Sequence, residues 1–201
     1  MCFGCESFPC LDVNHSHYCV PDVDIDPENI TMVMISEAAP HNAEDYYYAA
    51  GEPLFQQNTL QAFKFAGIEV TAFQELLDRG IYFTTAVKCG KTGYGVKTAT
   101  IKECSHILER ELNQFSSVKA FMLMGDIAIK AVNYISTRQR SGWAIPAGST
   151  YKIRGGEFYF CGARAFPSYL QVGPSFGIEK SKQRMIAEDI AAALEIVKRP
   201  E

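Results

Sequence analysis

Cysteine offers the most chemistry in this chain. Three thiols crowd its start, Cys2, Cys5 and Cys10, within Cys-Phe-Gly-Cys-Glu-Ser-Phe-Pro-Cys. Two more, Cys89 and Cys104, lie near the middle: the first ends a predicted strand, the second falls in the first turn of the next predicted helix. A front cluster plus a central pair is the pattern of thiolates gathered around a metal ion or an iron–sulfur cluster. The connector after Cys89, Gly90-Lys91-Thr92-Gly93-Tyr94-Gly95, is glycine-rich, which lets backbone fold closely and aim N–H groups at sulfur. The plainer reading of the central pair is two buried cysteines acting as small hydrophobes. The three thiols at the front favour the metal centre. Cys19 and Cys161 are read as structural. Seven cysteines is an odd number and fits a disulfide framework poorly.

Other residue types offer weaker chemistry. Glu37 leaves an apolar run into a turn stopped by Pro40, where a carboxylate could orient water or stabilise positive charge. The plain alternative is a glutamate bonded to its own loop. His41 follows the same turn. His15 and His17 lie near Cys10 and Cys19 and could complete a zinc site, though their spacing matches no strong zinc signature. Phe55 precedes a predicted helix and could be a stacking platform for a base or a core residue. Lys180, Lys182 and Arg184 could meet phosphates or form a solvated face. Gly90-Lys91-Thr92 imitates the end of a P-loop, but Thr85 stands where the motif needs glycine, so a phosphate cradle is rejected.

These residues are positioned by alternating strands and helices. Apolar runs predict strands at 31–35, 81–87, 119–124 and 163–166. Helical spacing predicts helices at 56–66, 71–79, 126–134 and 179–197. Thr100 with Glu103 reads as a capping box opening a helix to about residue 115. Residues 151–161, with Gly155-Gly156, read as a hairpin. The pattern implies an α/β three-layer sandwich, a central, mainly parallel four-stranded sheet flanked by helices, in one domain over residues 1–201. Ligands of such sheets bind beyond the carboxyl ends of the strands, which are loops 36–40, 88–95 and 167–173 here.

Composition bounds the function. Of 201 residues 47% are hydrophobic and 21% charged, a globular balance with no disordered tract. The net charge of −4 excludes a bulk basic field for nucleic acid but not a local patch. No apolar stretch reaches the ~20 residues that span a bilayer, and no signal-peptide pattern is present. A monomer in the cytoplasm, with no membrane partner, is the expectation.

The order of the short motifs resembles the uracil-DNA glycosylase superfamily, closest to the family 4 type with its iron–sulfur cluster. Where that family has Gly-Glu-Ala-Pro-Gly after its first strand, Ser36-Glu37-Ala38-Ala39-Pro40 stands here. Its Gly-x-Pro-Phe is met by Gly51-Glu52-Pro53-Leu54-Phe55, and its Thr-Asn-Val-Val-Lys-Cys by Thr84-Thr85-Ala86-Val87-Lys88-Cys89. Its Leu-Gly-x-x-Ala is met by Met124-Gly125-Asp126-Ile127-Ala128, and its His-Pro-Ser-Tyr-Leu by Phe166-Pro167-Ser168-Tyr169-Leu170. The resemblance covers nearly the whole chain. It implies a 4Fe–4S cluster, with zinc as the alternative, held by four of Cys2, Cys5, Cys10, Cys89 and Cys104.

It further implies a DNA partner. Glu37 would be catalytic, and Phe55, Thr85 and Phe166 would face the base. Ser168, Tyr169 and Leu170 would press the DNA backbone and fill the gap left by a flipped base. The departures fall on the chemistry. Thr85 replaces an asparagine that reads the base edge, and one hydroxyl cannot supply a bidentate amide pattern. Phe166 replaces a histidine that stabilises the departing base and cannot donate a hydrogen bond. Uracil specificity is therefore not implied. Two readings follow: a glycosylase cleaving the N-glycosidic bond of a damaged or deaminated base, or a non-catalytic iron–sulfur module binding nucleic acid or a nucleotide on the same fold. A third, a cluster-stabilised domain with another ligand, is the bland one.

Overall fold

Apolar runs too short to be helices pair into one sheet. The computed structural model describes residues 5–21, 23–172 and 176–199. Among these, β1 (Val13–Asn14), β2 (Met32–Ala39), β3 (Ile81–Lys91), β4 (Ala120–Met124), β5 (Phe158–Phe160) and β6 (Ala163–Ser168) form a sheet in the order β1-β3-β2-β4-β6-β5. The four inner strands are parallel. Both edge strands run antiparallel to their neighbours. The expected four-stranded sheet is thus the centre of a six-stranded mixed one. The edges escaped the reading because β1 has two residues and β5 three, too few for an alternating signal.

Helices cover both faces. On one, α3 (Thr98–Leu112) and α4 (Asp126–Arg138) pack Leu108 and Val132 over Val33, Ile35, Phe121 and Leu123. On the other, α1 (Leu54–Phe65), α2 (Gln74–Asp78) and α6 (Lys180–Lys198) pack Phe63, Leu76 and Ile190 over Met32, Met34, Phe83 and Met122. Every residue of β4 is buried and β2 is buried except at Glu37, as expected of parallel strands covered on both sides. No described helix is long and apolar enough to cross a membrane.

Two local expectations change. The hairpin joins β5 to β6 and turns at Cys161-Gly162, whose φ values of 49° and 81° suit a two-residue turn of left-handed residues. Gly155-Gly156 lies upstream, after the short helix α5 (Thr150–Ile153). The capping box at Thr100 is not formed, because α3 already begins at Thr98 and has no side-chain cap from its own N-cap residue. Cys104 consequently sits in the second turn. The cap comes from far away: Asp12 accepts the Lys97 amide at 2.6 Å and the Thr100 hydroxyl at 2.5 Å.

That contact pins the front of the chain to the middle. The Thr92 hydroxyl also donates to the Asp12 carbonyl at 2.9 Å, and β1 pairs with Gly90 and Lys91. Burial opposes charge on Asp12, yet the Thr100 and Lys97 bonds outweigh it and hold the carboxyl below its ordinary value of 3.8. A depressed carboxyl contributes stability that is full above the unfolded value and is lost as pH falls through the folded one. Asp12→Asn is therefore expected to lower stability by about 1 kcal/mol at neutral pH, the scale of a lost helix cap. The gap from wild type should close as pH drops below about 4. Urea midpoints of both proteins across that range check this.

Candidate functional site

The carboxyl ends of the parallel strands open into two adjoining clefts. The larger, 540 Å³, is lined by residues 37–41, Asp45, Leu54, Phe55, the 91–94 segment, Leu170 and Val172. The second, 350 Å³, is lined by Gly125, Asp126, Tyr169, Phe176, Glu179 and Lys182 among others. Glu37 and Leu170 line both, so they stand on the ridge between. Loops 36–40, 88–95 and 167–172 do converge, as a parallel sheet requires.

Glu37 is the half-buried member of an otherwise buried β2. It lies against the start of α4, where Gly125 has φ of 96°, and a Cβ there would stand 2.6 Å from the Glu37 Oε1. Glycine thus admits the carboxylate to a helix N-terminus, whose partial positive charge favours an anion. From the other side the Lys91 Nζ donates to Glu37 Oε2 at 3.1 Å. A carboxylate held between an ammonium and a helix end, with its mouth open to two clefts, can stabilise a developing cation or direct water.

The other expected site residues divide. Leu170 and Tyr169 face the clefts, and the Lys182 ammonium lies 5.5 Å from the Tyr169 ring centroid. Phe55 reaches the larger cleft only by its rim. It is 6% exposed and meets Tyr47 edge-on, with ring centroids 5.1 Å apart. Ser168 is fully buried and donates to Asp189 Oδ2 at 2.6 Å, while Asp189 Oδ1 pairs with Arg154 at 2.7 Å. Its hydroxyl is committed inside the fold rather than offered to a phosphate. Thr85 is also fully buried; its register partner is Ser36, and its hydroxyl has no hydrogen-bond partner among the described residues. Phe166 is half-buried beneath the Arg164 guanidinium, 4.9 Å from its ring, and lines neither cleft.

The thiols gather near the carboxyl end of β3, where Cys89 precedes the cleft residue Lys91 by two positions. Cys89 and Cys104 are buried, and Cys5 and Cys10 partly so; Cys2 lies outside the described residues. Burial pushes the Cys89 thiol up to about 12, with Cys104, Cys5 and Cys10 adding their negative potential. Burial likewise raises Cys104 to about 11; the Lys88 amide opposes this, while Cys10 and Cys5 add to it. Cys10 is raised chiefly by burial, against the Thr100 hydrogen bond, with Asp12 and then Cys5 adding to it. Cys89, Cys104, Cys5 and Cys10 therefore lie near enough for ionised sulfurs to repel one another, and a bound cation would favour their thiolate forms. No described group of three His, Cys, Asp or Glu is drawn tight enough for one metal ion.

An organic wall surrounds them. His15 Nε2 donates to the Cys10 carbonyl at 2.6 Å, which leaves Nδ1, 3.4 Å from Cys89 Sγ, to accept from the thiol in the neutral ring. Phe8 packs against His15 and Tyr18 with centroids 5.0 and 5.3 Å away. Beneath lies a buried ion pair. Lys88, 0% exposed, bonds Glu111 Oε2 and, at 2.7 Å, the Thr84 hydroxyl. Glu111 Oε1 accepts from Thr84 at 2.7 Å and Tyr82 at 2.8 Å. The Lys88 carbonyl accepts the Cys19 amide at 2.8 Å. Cys161 is exposed and bonds Gln139, away from this centre.

No family model matches the chain, and no curated protein matches it. From the sequence, Lys91 stands only in the rejected phosphate loop, and Tyr94, Asp45 and Val172 carry no site role, yet all four line the larger cleft. Lys91 and Tyr94 lie in the glycine-rich connector, and an aromatic between two glycines just after a strand was the available signal.

Proposed function

We propose that the chain excises a damaged or deaminated base from DNA, in the manner of the uracil-DNA glycosylases its motifs resemble, and that its thiol-rich end holds a 4Fe–4S cluster. The observation that carries the proposal is Glu37 on the ridge between two clefts at the carboxyl ends of β2 and β4. As the N-glycosidic bond stretches, positive charge gathers on the sugar, and a fixed carboxylate beside it lowers the barrier. The same carboxylate orients water toward C1′. Leu170 fills the gap left in the base stack, and Lys182 beside Tyr169 meets the phosphate backbone. Uracil is not singled out, since Thr85 is enclosed. Four of Cys2, Cys5, Cys10, Cys89 and Cys104 would hold the cluster, which when bound ties the front segment to β3 and α3.

Duplexes carrying uracil, hypoxanthine or xanthine, treated with alkali after incubation, reveal abasic sites. Strand breaks are expected for at least one of them. Glu37→Gln is expected to slow their appearance by about 10²–10³-fold, the usual loss of one preorganised electrostatic group. No breaks with any lesion would overturn the enzymatic reading.

A second reading has its own support. Neither Thr85 nor Phe166, the positions the resemblance assigns to base reading and leaving-group stabilisation, opens into a cleft. A non-catalytic module would bind duplex without product, with affinity falling as salt rises.

A further inference from the structure

Excision leaves an abasic sugar whose ring opens to an aldehyde at C1′. The primary amine of Lys91 stands 3.1 Å from the carboxylate assigned to that same carbon's charge, and both line the larger cleft. Its side chain is 25% exposed, so the amine is neither sealed in the core nor free in solvent. Lysine amines in such places attack carbonyl carbons to give imines. Resting on the base-excision reading, we propose that Lys91 is the nucleophile of a second activity, cleavage of the DNA strand at the abasic site.

The step balances without an external oxidant or reductant. The Lys91 ammonium passes a proton to Glu37, and the free Nζ attacks C1′. A C–N bond forms, and the carbonyl oxygen leaves as water with the two remaining amine protons, giving an imine to whose nitrogen the Glu37 carboxyl returns the proton it took, which restores the carboxylate. A carboxylate oxygen of Glu37 removes a proton from C2′, and those electrons flow toward the iminium. The C3′–O bond breaks, and the 3′-phosphate departs with its electron pair. Water hydrolyses the imine, releasing an unsaturated aldehyde and restoring the Lys91 amine. Glu37 thus acts first on sugar charge and then as the base, which fits its position between amine and clefts.

The experiment uses duplex DNA with a preformed abasic site, so it does not depend on base removal. Borohydride added during incubation reduces the imine to a stable amine, and peptide mapping of the covalent adduct locates the attachment. The wild-type chain is expected to give an adduct at Lys91 and a nicked strand. In Lys91→Arg, which keeps the charge beside Glu37, the adduct should be lost, and Lys91→Gln should behave alike. No adduct, or an adduct at another lysine, overturns the inference. Base release from lesion duplexes without an adduct would leave the excision reading standing and remove this one. An adduct at Lys91 without base release from any lesion would do the reverse.

Discussion

Lys88→Met is expected to destabilise the chain by about 3–5 kcal/mol, the effect of stranding one member of a buried ion pair. Glu111 is 1% exposed and would keep its two donors, Thr84 and Tyr82, but lose its only cation among the described residues. Burial and the Glu111 carboxylate push the Tyr82 phenol far above its ordinary range, so it remains a donor to that oxygen. The double variant Lys88→Met with Glu111→Leu is expected to lose less than the two single changes added together, because no charge is left alone in the core. Urea unfolding of the four proteins measures it. A single variant within 1 kcal/mol of wild type would show that water reaches the pair.

The second large effect concerns the thiols. Protein purified without oxygen is expected to be brown and to carry about four irons and four sulfides per chain. Cys89→Ser and Cys104→Ser should each reduce iron to near zero, whereas Cys161→Ser, whose sulfur bonds Gln139 on the surface, should retain it. The same measurement with Cys2→Ser, Cys5→Ser and Cys10→Ser identifies which two of the three front candidates are ligands. Colourless protein loaded with zinc would replace the cluster by a mononuclear ion.

Much of the scaffold was legible because its strands are apolar runs between turn residues. Glu37 stood out for the same reason: a charged residue closing a buried run and followed by Pro40 has few places to go. What the sequence hid is mostly direction. A strand covered on both faces carries no in–out alternation, so nothing in Thr84-Thr85 told which hydroxyl faces Glu111 and which is sealed beside Ser36. The same loss of parity hid that Phe166 turns under Arg164. Partners distant in the chain were equally opaque. Ser168 answers to Asp189, Lys88 to Glu111 and α3 to Asp12, and none of these spacings follows a local rule. The Thr100-Glu103 box misled because a better acceptor arrived from elsewhere.

The clamp of Asp12 on α3 also sets an order of events during synthesis. The residues it joins are 85 and 88 positions apart, so the leading segment leaves the ribosome long before its seat exists. Until then the thiols near Asp12 stay exposed, and the β1 segment has no strand to pair with. The segment carrying Asp12 therefore docks only once the strand and helix at residues 81–112 have been made, and its thiols stay open to oxidants over that interval.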